Sequence, residues 1–229
     1  MAALAADGSR VETPNGEENR RVYGESENKC GKAAARANFS GLYDVYNRFF
    51  LDIGVRHFRS GGLEEAKEHI GELKAIAGER PTLIVFDRSY TSLEFMNYLE
   101  KGGIKRLIRL HSGDYKAEAT GMGSGDEEVE LVHAKTRLEH LRRTNRERAG
   151  ELARECSTPE RTLKMRFDNG ETGALITNPS DCGAADIKRL YRKRWMIEPV
   201  PNRDPAVRVS FETGSDRKET PRLEKQDEN

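Results

Sequence analysis

Tyr191-Arg192-Lys193-Arg194-Trp195-Met196-Ile197-Glu198 gathers cations, aromatics and one acid on a segment with helical spacing. Tyr191, Arg194 and Glu198 lie three and four residues apart, so a helix would project all three from one face. An aromatic hydroxyl, a guanidinium and a carboxylate on one face suit the grip of a phosphodiester beside a metal-bound carboxylate. The alternative is a solvated amphipathic helix on which Arg194 and Glu198 simply pair. Two upstream acids stand at comparable places. Asp7 follows the apolar run Ala2–Ala6, and Asp87 ends the apolar run Thr82–Phe86. Each has an ordinary reading too, Asp7 as a turn residue and Asp87 as a cap of the following loop. Together, Asp7, Asp87 and Glu198 could hold Mg2+ or Mn2+, ions that favour hard oxygen ligands. Two such ions about 3.5–4 Å apart would activate a nucleophile and stabilise the leaving oxygen of an in-line phosphoryl transfer.

The elements that must carry these acids are legible in outline. Ala2–Ala6 reads as a short strand turned by Asp7-Gly8-Ser9, and residues 10–32 as a polar loop. Residues 37–58 have the aromatic and β-branched composition of an antiparallel hairpin turning near Asn47. Leu63, Ala66, Ile70, Leu73 and Ala77 recur at three and four, marking a helix that Gly78 closes and Pro81 ends. Thr82–Phe86 reads as a strand buried on both faces, with Asp87 at the carboxyl edge where α/β sheets bind ligands. Ser92 caps a helix bearing Phe95, Met96 and Leu99, Gly102-Gly103 end it, and residues 104–110 form the next strand. Strand, helix, strand implies a parallel pair with a right-handed crossover. Residues 111–128 read as a loop, 130–133 and 162–167 as strands, and Asn169-Gly170 as the turn into a strand over 173–177. Ser180 or Asp181 caps a last helix that includes Ile187, Leu190 and Glu198 and stops at Pro199.

The 229 residues suffice for one substantial domain with an insertion. Charged residues reach 34% against 35% hydrophobic, which concentrates the core in a few segments. With a formal net charge of zero, attraction to nucleic acid must come from local patches such as Lys135–Arg166. Cys30, Cys156 and Cys182 are scattered and odd in number, which argues against a disulfide framework or a zinc site and fits a reducing cytoplasm. No apolar run is long enough to span a bilayer.

Three motifs, in order, carry a resemblance: Ala6-Asp7-Gly8-Ser9, Phe86-Asp87-Arg88-Ser89-Tyr90, and Tyr191-x2-Arg194-x3-Glu198. With Ser40–Asn47 and Leu175–Asn178, they resemble the catalytic domain of bacterial insertion-sequence DDE transposases, the insertion-sequence-four family with its Tyr-Arg-Glu-Lys signature. The resemblance implies an α/β, RNase H-like fold: a mixed sheet flanked by helices, with a β-rich insertion (about 111–177) before the last catalytic helix. It implies a catalytic core over residues 1–198 and an unrelated, disordered tail over 199–229. It implies metal-dependent cleavage and strand transfer of insertion-sequence ends in DNA transposition, with Asp7, Asp87 and Glu198 as catalytic metal ligands for two Mg2+ or Mn2+ ions. Tyr191 and Arg194 would contact terminal DNA phosphates. Trp195 would stack on a displaced base or pack in the core. Double-stranded DNA is the implied partner, with a possible homodimer on paired ends, in the bacterial cytoplasm at the nucleoid. Position 205, where the signature places its lysine, is Pro205. The chain therefore reads as a core truncated at both ends and impaired. The alternatives are a catalytically inactive DNA- or partner-binding remnant and a general RNase H-type nuclease.

Overall fold

The structure is a computed structural model that describes residues 2–194, apart from 28–30, 32, 79, 112, 114, 167–169, 171 and 179–181. Among the described residues, nine strands form one mixed sheet. The first strand, β1 (Ala2–Glu12), is antiparallel to β3 (Ala33–Asp44), which in turn pairs antiparallel with β4 (Phe49–His57) and with the short β2 (Glu25–Glu27). On its other side β1 pairs in parallel with β5 (Thr82–Phe86), and β5 with β6 (Lys105–Arg109). Three antiparallel strands extend the sheet beyond β6, in the order β9 (Thr172–Thr177), β8 (Ser157–Arg166) and β7 (Asp126–Val132).

Period-two alternation sorts the strand residues onto two faces. Leu4, Ala6, Ile84, Phe86, Ile108 and Ile176 pack with Ala66, Ile70 and Leu73 of helix α2 (Gly62–Ala77) and with Phe95, Met96 and Leu99 of helix α3 (Leu93–Lys101). The intervening residues Ala3, Ala5, Leu83, Val85, Leu107 and Leu175 pack on the opposite face with Ile187, Leu190 and Tyr191 of helix α7 (Ala184–Lys193). A sheet between helices is the α/β architecture the resemblance implies. Ser92 caps α3 by accepting from the Phe95 N–H at 3.4 Å, and Gly78 ends α2 at φ 57°.

Several segments differ from the sequence expectation. The first strand does not turn at Asp7-Gly8-Ser9. It runs to Glu12, because β3 pairs Gly8 with Ser40 and Ser9 with Phe39, and that ladder overrides the local turn preference. Within the expected loop 10–32 lie helix α1 (Glu17–Tyr23) and β2. Helix α1 buries no residue, so it has no apolar stripe to betray it; acids in its first turn and arginines in its last suit the helix dipole. The expected loop 111–128 contains helix α4 (Lys116–Gly121) and the start of β7, whose exposed acids discourage further edge pairing. Between β7 and β8 lie α5 (Glu139–Thr144) and α6 (Arg146–Glu155), so the insertion mixes helices with strands. Helix α7 has Gly183 as its N-cap. The caps expected at Ser180 and Asp181 and the turn residue Asn169 lie outside the described residues.

The β3–β4 turn is held by Asp44, whose carboxylate accepts from the Tyr46 N–H at 2.9 Å, the Asn47 N–H at 2.8 Å and the Asn47 side-chain amide at 2.9 Å. These bonds outweigh partial burial and hold the Asp44 carboxyl below the usual aspartate value of 3.8. A folded-state pKa below the unfolded one adds stability that is present above 3.8 and is lost as pH falls through the folded value. Asp44→Ala should therefore cost about 1 kcal/mol at pH 7 in urea denaturation. The cost should shrink as the pH is lowered below the usual aspartate value.

Candidate active site

Parity places both upstream aspartates. Asp7 continues the Ala3, Ala5 series and Asp87 the Leu83, Val85 series, so both belong to the face covered by α7. The parallel register Ala6–Phe86 then sets Asp7 and Asp87 level where the β1–β5 pairing ends, Asp87 just past β5 and Asp7 within β1, which continues to Glu12. The sheet alone makes them neighbours.

Each carboxylate is anchored by its own backbone. Asp7 Oδ1 accepts from the Gly8 N–H at 2.8 Å, and Asp87 Oδ1 from the Arg88 N–H at 2.5 Å, where Asp87 caps a 3-10 turn over Arg88–Tyr90. The third party comes from α7. Its buried stripe Ile187, Leu190, Tyr191 continues at helical spacing to Arg194, which is 1% exposed. Arg194 Nη1 donates to Asp7 Oδ2 at 2.5 Å, and Arg194 Nη2 stands 3.9 Å from Asp87 Oδ1. The Tyr191 ring lies 5.8 Å from the guanidinium.

Burial, reinforced by the like charge of Asp87, pushes the Asp7 carboxyl above the ordinary aspartate value, although Arg194 and the Gly8 N–H pull it down. Burial also works against the Arg194 charge, but Asp87, Tyr191 and Asp7 outweigh it and raise its pKa. Both pKa values thus rise, which favours the charged form of Arg194 and disfavours that of Asp7, where burial outweighs the pairing. Burial likewise raises the Tyr191 hydroxyl. Gly41 lies directly across from Asp7, and the Phe50 ring covers it so closely that a Cβ there would meet the ring at 2.7 Å. Phe50 is itself braced by edge contacts with Phe39 and Tyr43.

On its open side Asp7 borders a cleft of about 200 Å³, shared with Arg10, Asn38, Ser60, Ser89 and Tyr90. Ser89 and Tyr90 belong to the second motif, whereas Arg10, Asn38 and Ser60 did not stand out in the sequence, and Arg10 reaches the cleft only because β1 runs past Ser9. Beneath the cleft Asn38 donates to both oxygens of buried Glu65, at 2.9 and 2.8 Å. Next to it, Ser40 Oγ lies 2.9 Å from His69 Nε2, and His69 Nδ1 lies 2.6 Å from Asp52 Oδ2. The chain resembles a hydrolase relay in composition, but Ser40 is only 2% exposed, so its hydroxyl joins β3 to α2 and meets no substrate.

The expected residues divide as follows. Asp7, Asp87, Tyr191 and Arg194 come together, with Tyr191 and Arg194 buried against the aspartates. Trp195 and Glu198 lie outside the described residues. Among the described residues no group of three metal-ligating side chains assembles. The two carboxylates nonetheless fit a divalent cation: they supply hard oxygens and converge on one positive group. Among the described residues, five of the ten cations in the basic stretch 135–166 have partners on the chain. Arg137 binds Glu118, Arg143 binds Glu139, Arg148 binds Glu151, Arg161 binds Asp126, and Lys164 donates to the Met122 carbonyl. Among the described residues no helix is long and apolar enough to cross a membrane.

The family profile described as "Transposase DDE domain" matches residues 2–200. The chain belongs to the transposase DDE domain family. The match takes in both clustered aspartates and all of α7. For a transposase DDE domain, divalent ions are the general cofactors of the family, and the mixed sheet flanked by helices is consistent with its RNase H-like fold. A cryo-EM structure of a piggyBac transposase synaptic complex with hairpin DNA is also similar, with a TM-score of 0.48 and 10% identity, over 86% of this chain and 39% of that one. This transposase domain thus spans well under half the length of that protein. No curated protein matches the chain.

Proposed function

We infer that this chain is the catalytic core of a DNA transposase of the insertion-sequence-four type, of bacterial origin, which cleaves transposon ends and joins them to target DNA using Mg2+ or Mn2+. One observation carries the reading: Asp7 and Asp87 are level where the parallel β1–β5 pairing ends and share one buried cation. Asp7, Asp87 and Glu198 would hold the metal, which when bound supplies Lewis-acid stabilisation of the phosphate charge. The chain's own residues do the rest. The Gly8 and Arg88 N–H groups fix one oxygen of each carboxylate, so the opposite oxygens are aimed before DNA arrives. The cleft bounded by Arg10, Asn38, Ser60 and Ser89 offers one cation and several hydrogen-bonding groups to the backbone of a strand reaching Asp7. Tyr191 and Arg194 are the candidates for contact with terminal phosphates, Trp195 for a displaced base, and a homodimer would bring two ends together.

A second reading, a DNA-binding remnant without catalysis, is favoured by Pro199 directly after Glu198 and by Pro205 at the signature's lysine position. Isothermal calorimetry with Mn2+ separates the two. The catalytic reading predicts saturable Mn2+ binding that Asp87→Ala weakens about 10–100-fold. Absence of Mn2+ binding, together with duplex affinity that is indifferent to Asp87→Ala, would leave only the remnant.

A further inference from the structure

We propose that Arg194 is a built-in counter-ion of the Asp7–Asp87 pair, and that a divalent metal enters the site by displacing it. The inference rests on the reading of these aspartates as metal ligands and adds a regulation of the same site.

A guanidinium that is 1% exposed needs compensation, since a buried charge without a partner is strongly destabilising. Among the described residues, the carboxylates of Asp7, at 2.5 Å, and Asp87, at 3.9 Å, are in ion-pair reach of Arg194. The dependence runs the other way too. Two carboxylates fixed level by the β1–β5 register repel each other, and Arg194 is the cation set between them. The pair is therefore held by the protein's own side chain.

The same arrangement opposes metal entry. Asp7 Oδ1 is engaged by the Gly8 N–H, and Asp7 Oδ2 accepts from Arg194, so the oxygen best placed for a metal is the one the arginine holds. A cation at that oxygen and the guanidinium would also repel each other in a dry setting, where such forces are strong. Arg194 is the C-cap of α7, one residue beyond Lys193. Helix ends yield more easily than helix interiors, so Arg194 can withdraw while Ile187 and Leu190 stay in the core. Metal affinity is thereby tied to whether the end of α7 is docked. By linkage, the metal loosens the docked end as much as the docked end weakens the metal.

Calorimetry on the full chain tests this with Mn2+ alone as ligand, in the absence of DNA. Arg194→Gln, which removes the charge and keeps a polar head, should bind Mn2+ about 10-fold or more tightly than the wild type, whereas Arg194→Lys should stay near the wild type. Hydrogen exchange on the unmodified chain gives an independent reading: Mn2+ should speed amide exchange over residues 190–194. Asp87→Ala is the control for the underlying site. If Asp87→Ala does not weaken Mn2+ binding, the metal-site reading fails and the exchange mechanism with it. If Asp87→Ala weakens binding but Arg194→Gln binds no tighter and exchange at 190–194 is unchanged or slowed, the metal site stands and the Arg194 proposal alone is overturned.

Discussion

Asp87→Asn should lower Mn2+-supported nicking of supercoiled plasmid by about 10³-fold, to the level seen with a chelator. The size of the effect follows from charge and place. Asp87 ends a strand buried on both faces, and its carboxylate is one of the two negative groups that converge beside the cleft. Asparagine keeps the oxygen that accepts from the Arg88 N–H at 2.5 Å, so the 3-10 turn should survive. What is lost is the charge. Stability should accordingly move by less than about 1 kcal/mol, which denaturation alongside the nicking assay would verify. A variant that nicks as well as the wild type would show that Asp87 only caps its turn, the ordinary role open to it from sequence alone.

Arg106→Met should cost about 3–5 kcal/mol at pH 7, the largest stability effect expected for a single substitution here. Arg106 lies in β6 with its side chain 2% exposed, donates to Glu100 at 2.6 Å and also pairs with the buried Glu160 of β8. The pair reaches across the intervening β9 and fastens the insertion to the central sheet. Burial already pushes the Glu160 carboxyl above the usual glutamate value of 4.5 in spite of Arg106. Without the arginine that rise must grow, because the main opposing force is gone. The sign follows: a folded-state pKa above the unfolded one contributes stability below 4.5 that is lost as pH rises through the folded value. The penalty of Arg106→Met should therefore be greatest at neutral pH and should fall as the solution is acidified toward the usual glutamate value. Guanidinium denaturation at two pH values measures it. An equal loss at both would point to lost packing and away from an orphaned charge.

The features that could be read from the sequence are those set by local periodicity. The unbroken run Thr82–Phe86 identified a doubly buried strand, and its end placed Asp87 at a sheet edge. Ile187 and Leu190 marked the last helix, and they pack on the sheet together with Tyr191, which the sequence had set on a face toward phosphate. What escaped was set by partners far along the chain. The local text Asp7-Gly8-Ser9 favours a turn, and only pairing with Ser40 and Phe39 keeps it extended. That extension is what carries Arg10 to the cleft. The contact between Arg194 and Asp7 joins residues 187 positions apart, and no spacing rule links them. The resemblance gave Arg194 a role toward DNA phosphate, and the structure adds its pairing with Asp7. Helices α1 and α4 bury no residues and so lacked the apolar stripe that marks a helix. Asn178, which accepts from the Arg106 N–H at 2.8 Å and donates to the Ile104 carbonyl at 3.0 Å, has a reason to be there only once β6 and β9 are side by side.

The central claim is that Asp7 and Asp87 are metal ligands. Anomalous scattering from crystals of the chain grown with Mn2+ tests it most directly. An Mn2+ peak bonded to a carboxylate oxygen of both Asp7 and Asp87, with Arg194 withdrawn from Asp7, is the predicted result. An Mn2+ peak elsewhere in the molecule, with Arg194 still seated on the two aspartates, would contradict it.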